Sequence, residues 1–153
     1  MKLVTPFQVN SFMLLKLPAA YLCGVRLKAI DQNSASVVVR HRWINQNPFR
    51  SMFWAVQGMA AELSTAVFLM WTIKKSKQAV SMLVLKNQAI FKKKAKGRIR
   101  FHCTQVQAAV DSVNQAIESG EPVSVKLKSI GTDPSGDIVS EFEFEWSLKK
   151  KLK

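Results

Sequence analysis

Alternation of apolar and polar residues marks four short segments of this chain. In each of them apolar residues recur at every second position over most of the segment, which is typical of a strand with one face buried in a core. These segments lie at 25–29, 98–103, 124–130 and 141–146. Two more segments, at 34–43 and 80–91, are largely apolar or β-branched and also favour extended structure. The pattern therefore predicts six strands.

The longest apolar segment, residues 51–73, is long enough to cross a bilayer. Arg50 on one side and lysines on the other give it the flanks of a membrane span, so a single span is an open alternative. The polar or small residues in its middle are Gln57, Gly58, Glu62, Ser64 and Thr65. Together with the strands on both sides, they favour a buried central helix over about 50–73.

Two other segments complete the order of elements. Residues 6–20 favour a helical segment at the N-terminus, and residues 105–118 have room for a helix or for a long irregular strand extension before Gly120 and Pro122. At 153 residues the chain fits one domain with a real core. We therefore expect one α+β domain over residues 1–153, in which a curved antiparallel sheet wraps round a long central helix.

The last predicted strand has aromatic side chains on one face and glutamates on the other. The glutamates are Glu141, Glu143 and Glu145. Such a row of negative charges is expected to face positive charges on a neighbouring strand, and Arg98 and Arg100 are the expected partners. We interpret these residues as a solvated sheet face rather than as catalytic groups.

A single acid stands inside the most apolar segment. Before Asp111 the chain contains only two acids, Asp31 and Glu62, and Glu62 lies within 51–73. An ionised carboxylate that leaves water without a partner costs several kcal/mol. Glu62 is therefore either a core acid paired with one of the many cations or a functional carboxylate, and its position alone does not decide between them.

The charge balance narrows the classes of partner. The formal net charge is +13 and the isoelectric point is about 10.1, which favours nucleic acid, an anionic membrane surface or a phosphorylated ligand. Cys23 and Cys103 lie far apart without metal-ligand spacing, so we expect neither a zinc site nor a disulfide scaffold. No secretory signal is recognisable at the N-terminus, and we expect a cytoplasmic protein.

Residues 47–62 read Asn-Pro-Phe-Arg-Ser-Met-Phe-Trp-Ala-Val-Gln-Gly-Met-Ala-Ala-Glu. With this segment as its anchor, the chain from about 17 to 149 resembles the hotdog-fold thioesterase superfamily. The resemblance is to the phenylacetyl-CoA-thioesterase-like branch and to an uncharacterised bacterial branch beside it. In that family an Asn is followed six residues later by His-Gly-Gly, and an acid comes nine residues after the His. Asn47 and Glu62 match, whereas Phe53, Trp54 and Ala55 replace the triplet.

The resemblance implies an acyl-thioesterase site. It assigns Glu62 as the nucleophile or general base, Asn47 as a residue that orients substrate or water, backbone amides near Ala55 as the oxyanion hole, and Ser81, rather than Val80, as an assisting serine. Ala55, Gly58 and Glu62 also share one helical face, where small side chains allow a ligand to approach. The alternative is a non-catalytic acyl- or lipid-binding protein that has lost the His-Gly-Gly chemistry.

Two lysine clusters lie on either side of the strand after the central helix. They consist of Lys74, Lys75 and Lys77, and of Lys92, Lys93, Lys94 and Lys96. Such clusters are usually solvated, but the second could bind the phosphates of coenzyme A or the acidic surface of an acyl carrier protein. No aromatic residues interleave with them, so nucleic acid is the weaker partner. Coenzyme A would enter as part of the substrate, and no separate cofactor or metal is expected.

Assembly is predicted from the same layout. A helix covered on one side by a sheet with an exposed edge favours a homodimer, or a tetramer built from dimers, with a sheet continuous across subunits. The resemblance further implies that Asn47 and Glu62 of one active site come from different subunits.

Overall fold

The computed structural model describes residues 4–151. Four helices are joined with six strands and a short 3₁₀ turn at Trp43–Asn45. In chain order the elements are α1 (Pro6–Lys16), α2 (Pro18–Leu22), β1 (Arg26–Ile30), β2 (Ala35–Arg40), α3 (Trp54–Ser76), β3 (Val80–Phe91), β4 (Arg98–Cys103), α4 (Val106–Ser119), β5 (Val123–Thr132) and β6 (Ile138–Lys150). The segment at 105–118, for which a helix and a strand extension were both open, is thus largely helical.

The six strands form one antiparallel sheet in the order β1-β2-β4-β5-β6-β3. α3 packs on its inner face, where Phe68, Phe101 and Leu127 are fully buried. This arrangement confirms the predicted α+β class with a long helix against an antiparallel sheet. β1 and β3 are the two edges, and β3 pairs with a described strand, β6, on one side only.

The prediction that Arg98 and Arg100 face the glutamates of β6 is wrong. β4, which carries Arg98 and Arg100, pairs with β2 and β5 and does not neighbour β6. β5 lies between them, so its lysines face the glutamates: Lys128 Nζ lies 3.7 Å from Glu143 Oε2, and Lys126 stands opposite Glu145. The charge complementarity was predicted correctly, but it comes from a different strand.

The N-terminal helical segment, predicted over 6–20, is two helices that meet at Leu17. Thr5 caps α1, because its hydroxyl accepts from the Gln8 amide at 3.3 Å and the Gln8 side chain accepts in return from the Thr5 amide at 3.0 Å. Pro18 begins α2, as its fixed φ favours the first turn of a helix. The Asn10 side chain accepts from Leu27 N at 2.9 Å and donates to Leu27 O at 3.0 Å. These two bonds attach α1 to β1.

α3 is long and apolar enough to cross a membrane, yet most of it is buried inside the protein. Its polar side chains form hydrogen bonds with the sheet: the Ser64 hydroxyl donates to the hydroxyl of Ser129 on β5 at 2.7 Å. Gln57 Oε1 likewise accepts from Ser140 Oγ at 2.9 Å. A bilayer offers no such partners, so α3 is the central core helix. The helix begins at Trp54 rather than near residue 50, and it ends at Ser76 rather than at residue 73. Lys77, the residue after its end, has a left-handed φ of 55°.

Gly131 is a position in β5 where a side chain has no room. A Cβ there would lie 2.6 Å from Cε1 of the fully buried Phe101 and 3.1 Å from Ser140 Oγ. We expect Gly131→Ala to lower the free energy of unfolding by about 1–3 kcal/mol through overpacking, measured by urea denaturation. Gly58→Ala is the matched control, because its Cβ would meet Phe142 at an ordinary 3.6 Å. Equal stability of the two variants would contradict the steric argument.

Candidate functional site

Glu62 lies on the face of α3 that looks toward the N-terminal helices. It borders a cavity of about 510 Å³, here called the Glu62 cavity, between α3, α1, α2 and the inner face of the sheet. The wall is almost wholly apolar and includes Phe12, Met13, Met59, Met70, Met82 and Trp146. A lone carboxylate beside an apolar cavity is the arrangement expected where a polar reacting group must meet a hydrocarbon.

The Glu62 carboxylate makes no hydrogen bond or ion pair with any residue between 4 and 151. The side chain is open to solvent along one side, and the protein on its other sides desolvates it enough to raise its pKa. Lys16 lines the same cavity without forming an ion pair with it. The alternative of a core acid held by a cation is therefore not what the described chain shows.

A short chain of hydrogen bonds holds the surroundings of Glu62. The Trp146 indole Nε1 donates to Thr65 Oγ1 at 3.2 Å, and Thr65 Oγ1 donates to the Glu62 carbonyl oxygen at 2.8 Å. Trp146 lines the Glu62 cavity, so the same bonds that attach α3 to β6 also orient the cavity wall.

Asn47 lies in a different cavity, of about 420 Å³, here called the Asn47 cavity. Its Oδ1 accepts from the amides of Phe49 at 3.0 Å and Ser51 at 3.2 Å, and its Nδ2 donates to Ser51 Oγ at 3.1 Å. These bonds close the loop 47–51, in which Arg50 has a positive φ of 56°. Asn47 thus has a structural role, and it retains one Nδ2 hydrogen for a ligand.

The buried Asn45 anchors this loop and was not singled out by sequence reasoning. Its Nδ2 donates to the carbonyl oxygens of Cys23 and Arg40, both at 2.9 Å. The loop is further tied to the segment before β4, since Met52 N donates to Ala95 O at 2.9 Å. A polar residue two positions before Asn47 carries no periodic signal, so its burial could not be predicted.

The first turn of α3 offers backbone donors. Phe53 is the N-cap and makes no side-chain cap, and the amides of Trp54 and Ala55 have no hydrogen-bond partner in the part of the chain that is described. Trp54 is 56% exposed and lines the Asn47 cavity. Ala55 and Glu62 lie about two helical turns, roughly 10 Å, apart along α3. One chain therefore keeps the amides and the carboxylate separate.

Ser81 is not near Glu62 within one chain. Along β3, Val80, Met82 and Val84 are the half-buried positions, whereas Ser81 is exposed on the opposite face. Met82 lines the Glu62 cavity, so Ser81 points away from it. The one-residue shift that favoured Ser81 over Val80 moved the candidate to the outer face, because side chains alternate along a strand.

The second lysine cluster divides into paired and unpaired members. Lys92 pairs with Glu141, and Lys93 Nζ lies 2.6 Å from both Asp133 Oδ2 and Asp137 Oδ2. The hydrogen bond to Asp133 is the main reason why the pKa of Lys93 is raised. The same bond holds the pKa of Asp133 below its usual range. Lys92, Lys93 and Lys94 line the Asn47 cavity, and Lys94 has no ion pair among the described residues. Lys96 is exposed and lines neither cavity.

The sequence matches the domain of unknown function DUF4442 over residues 8–148. The chain belongs to the DUF4442 family. No curated protein matches the sequence.

Solved structures identify the fold of this DUF4442 chain. PA5026 of Pseudomonas aeruginosa, described as a probable thioesterase, superposes with a TM-score of 0.79 at 20% identity and covers 97% of this chain and 99% of its own. The thioesterase PA1618 from the same organism, in a mutant form, gives 0.73 at 14% identity, with 98% and 97% covered. The thioesterase HI1161 of Haemophilus influenzae gives 0.72 at 11% identity, with 99% and 95% covered. The predicted hotdog fold is thereby confirmed.

Proposed function

We propose that the protein is a thioesterase that hydrolyses an acyl thioester in the Glu62 cavity. The observation that carries this proposal is the unpaired Glu62 carboxylate, which has a raised pKa and borders an apolar cavity of about 510 Å³. A carboxyl whose pKa lies nearer to neutrality is a better proton acceptor at working pH. The apolar wall suits an acyl chain, and the thioesterases of similar fold support the reaction class.

The reaction needs three groups around the thioester. Glu62 either removes a proton from water as it attacks the carbonyl carbon or attacks that carbon itself. Backbone N–H groups stabilise the negative charge that develops on the carbonyl oxygen, and the unpaired amides of Trp54 and Ala55 are the donors available. The carbon–sulfur bond then breaks, and the thiol leaves with a proton. If water is the nucleophile, the free carboxylic acid forms directly, whereas attack by Glu62 leaves an anhydride between Glu62 and the acyl group, which a water molecule then hydrolyses to the acid and the free carboxylate.

A homodimer would bring these groups together. β3 leaves one edge without a partner strand in the described chain and exposes Leu83, Leu85, Ile90 and Phe91 along it. Pairing of two β3 edges would cover them and continue the sheet. In such a dimer the Asn47 loop and first turn of α3 from one subunit would face Glu62 of the other, which explains why one chain keeps them in separate cavities.

Assembly is tested first. We expect a dimer, or a tetramer built from it, by analytical ultracentrifugation at micromolar concentration. Leu83→Lys should weaken it, because an apolar contact across the paired strands would be replaced by like charges from the two subunits on one sheet face. Leu22→Lys is the control, since Leu22 is an equally exposed leucine on α2, away from β3. A wild-type monomer at this concentration would refute the shared site.

The carrier is proposed to be coenzyme A or an acyl carrier protein, bound in the cytoplasm. Lys94 borders the Asn47 cavity without an ion pair, whereas Lys92 and Lys93 already hold acids. We expect Lys94→Ala to raise KM for acyl-CoA severalfold and to flatten its salt dependence, with kcat unchanged. Lys96→Ala is the matched control, because Lys96 lies outside the cavity. An equal effect of both variants would indicate long-range charge rather than a phosphate contact.

The wild type should be assayed against a panel of acyl-CoAs and acyl carrier proteins, with release of the free thiol as the measurement. Hydrolysis of at least one class, saturable and dependent on Glu62, is expected. A second candidate is an acyl-binding protein without turnover, which is favoured by the bulky Trp54 at a position where the His-Gly-Gly pattern of the hotdog-fold thioesterases has glycine. Binding of acyl thioesters without hydrolysis across the panel would establish that second function instead.

A further inference from the structure

A second, largely apolar cavity adjoins the Glu62 cavity along α3. This distal cavity has a volume of about 380 Å³ and lies between the N-terminal part of α1 and the C-terminal half of α3. Its wall includes Val9, Val67, Met70, Trp71 and Lys74. Phe12 of α1 and Met70 of α3 line both cavities, so they form the boundary between the two.

α3 contributes one continuous stripe to both cavities. The lining residues of this stripe are Met59, Glu62, Leu63, Ala66, Val67, Met70, Trp71 and Lys74, which recur every three or four positions. The opposite wall is α1, which the Asn10 bonds fix to β1. α1 therefore forms one wall of an elongated space whose other wall is α3.

We propose that the two cavities form one channel for a long, unbranched acyl chain, with Phe12 and Met70 as the residues that set the accepted chain length. The chain would run from Glu62 past these two side chains into the distal cavity. The position of the thioester at Glu62 rests on the proposed function, whereas the path of the hydrocarbon does not.

The shape favours an elongated ligand over a compact ring. Glu62 and Lys74 are separated by about 18 Å along the helix at 1.5 Å per residue, and the wall between them is apolar. Methionine side chains are flexible enough to follow a hydrocarbon chain of variable conformation. Phe12 is 45% exposed, so part of its ring borders solvent rather than packed protein. Lys74 ends the apolar stripe and marks the far limit of the channel.

The test measures binding independently of hydrolysis. Saturated fatty acids of increasing length should displace a fluorescent fatty acid from the wild type with an affinity that rises about fourfold per methylene until the channel is full. Phe12→Trp and Met70→Trp narrow the boundary from opposite walls. Both should move the plateau to shorter chains and weaken the longest acids at least tenfold, with less than a twofold change for the shortest.

Phe7→Trp is the matched control, because Phe7 is an exposed phenylalanine on the same helix and lines neither cavity. Thermal unfolding establishes whether each variant is folded. If Met70→Trp does not fold, Phe12→Trp alone decides the test, because Phe12 is half-exposed. An unchanged plateau in Phe12→Trp, or tighter binding of phenylacetate than of long chains by the wild type, would overturn the proposal. Length-dependent binding without hydrolysis would leave the channel intact and refute only the thioesterase.

Discussion

Glu62→Gln is expected to lower kcat for acyl-CoA hydrolysis by roughly a hundred- to ten-thousand-fold, the range observed for loss of a general base. The amide keeps the size of the side chain but neither accepts a proton from water nor attacks a carbonyl at neutral pH. KM should change little, because the acyl chain contacts the apolar wall rather than the carboxylate. Turnover equal to wild type in the folded variant would refute the catalytic role of Glu62.

The same substitution should not destabilise the protein, which separates a functional acid from a structural one. Partial burial raises the Glu62 pKa, so the folded state holds this proton more tightly than the unfolded state does. Folding stability contributed by this group therefore falls as the pH rises from the ordinary carboxyl range through the raised pKa, and stays reduced at neutral pH. Removing the charge relieves that cost, so Tm at neutral pH should be unchanged or higher.

The pH profile gives a second readout of the same group. Wild-type kcat/KM should fall on the acidic side as Glu62 becomes protonated, with a midpoint above the ordinary carboxyl range. The residual activity of Glu62→Gln should not show this fall in kcat/KM on the acidic side. A wild-type profile that is flat on the acidic side would contradict a catalytic carboxylate with a raised pKa.

Two inactive variants should restore activity when they are mixed. We expect Asn47→Ala and Glu62→Gln each to be nearly inactive alone, because in the proposed dimer each would break one half of a site shared between subunits. In a random mixture half of the dimers are hybrids, and each hybrid has one intact site. Turnover should therefore recover to roughly a quarter of the wild-type value per subunit, measured after subunit exchange.

A mixture of Glu62→Gln with Ser81→Ala serves as the comparison for the mixture with Asn47→Ala, because Ser81 lies on the outer face of β3, away from the Glu62 cavity. Ser81→Ala alone should retain turnover. Native mass spectrometry verifies that hybrids form in each mixture. Hybrids of Asn47→Ala and Glu62→Gln that stay inactive would show that these residues do not complete each other's site across subunits. Full turnover in Asn47→Ala alone would reduce Asn47 to its role in closing the loop 47–51.

Local pattern was sufficient to predict the six strands and the central helix but not which strands are neighbours. The apolar face of β6 follows from its alternating period, whereas the central helix follows from the length of its apolar segment and the polar residues in its middle. Strand order carries no local signal, which explains why Arg98 and Arg100 were expected beside the glutamates that lysines of β5 face instead. The break between α1 and α2 at Pro18 changed one expected helix into two.

For the candidate site, sequence reasoning found the acid but not its cavity. Glu62 could be recognised because a charge inside an apolar segment is rare. The contribution of α1 and α2 depends on contacts between residues far apart in the chain, so Phe12 and Lys16 carried no signal. Ser81 does not lie beside Glu62 within one chain, because a shift of one residue along a strand moves the side chain to the opposite face of the sheet.

The composition of the cavity wall also bears on how the protein would respond to oxidants. Of the six methionines in the chain, four line the Glu62 cavity, namely Met13, Met59, Met70 and Met82. Met13 is fully buried, but the other three are only partly covered. Peroxide converts a thioether to a sulfoxide, which is polar and binds hydrocarbon poorly. If the cavity binds an acyl chain as proposed, oxidation of these partly exposed thioethers would weaken that binding, and reduction of the sulfoxides would restore it.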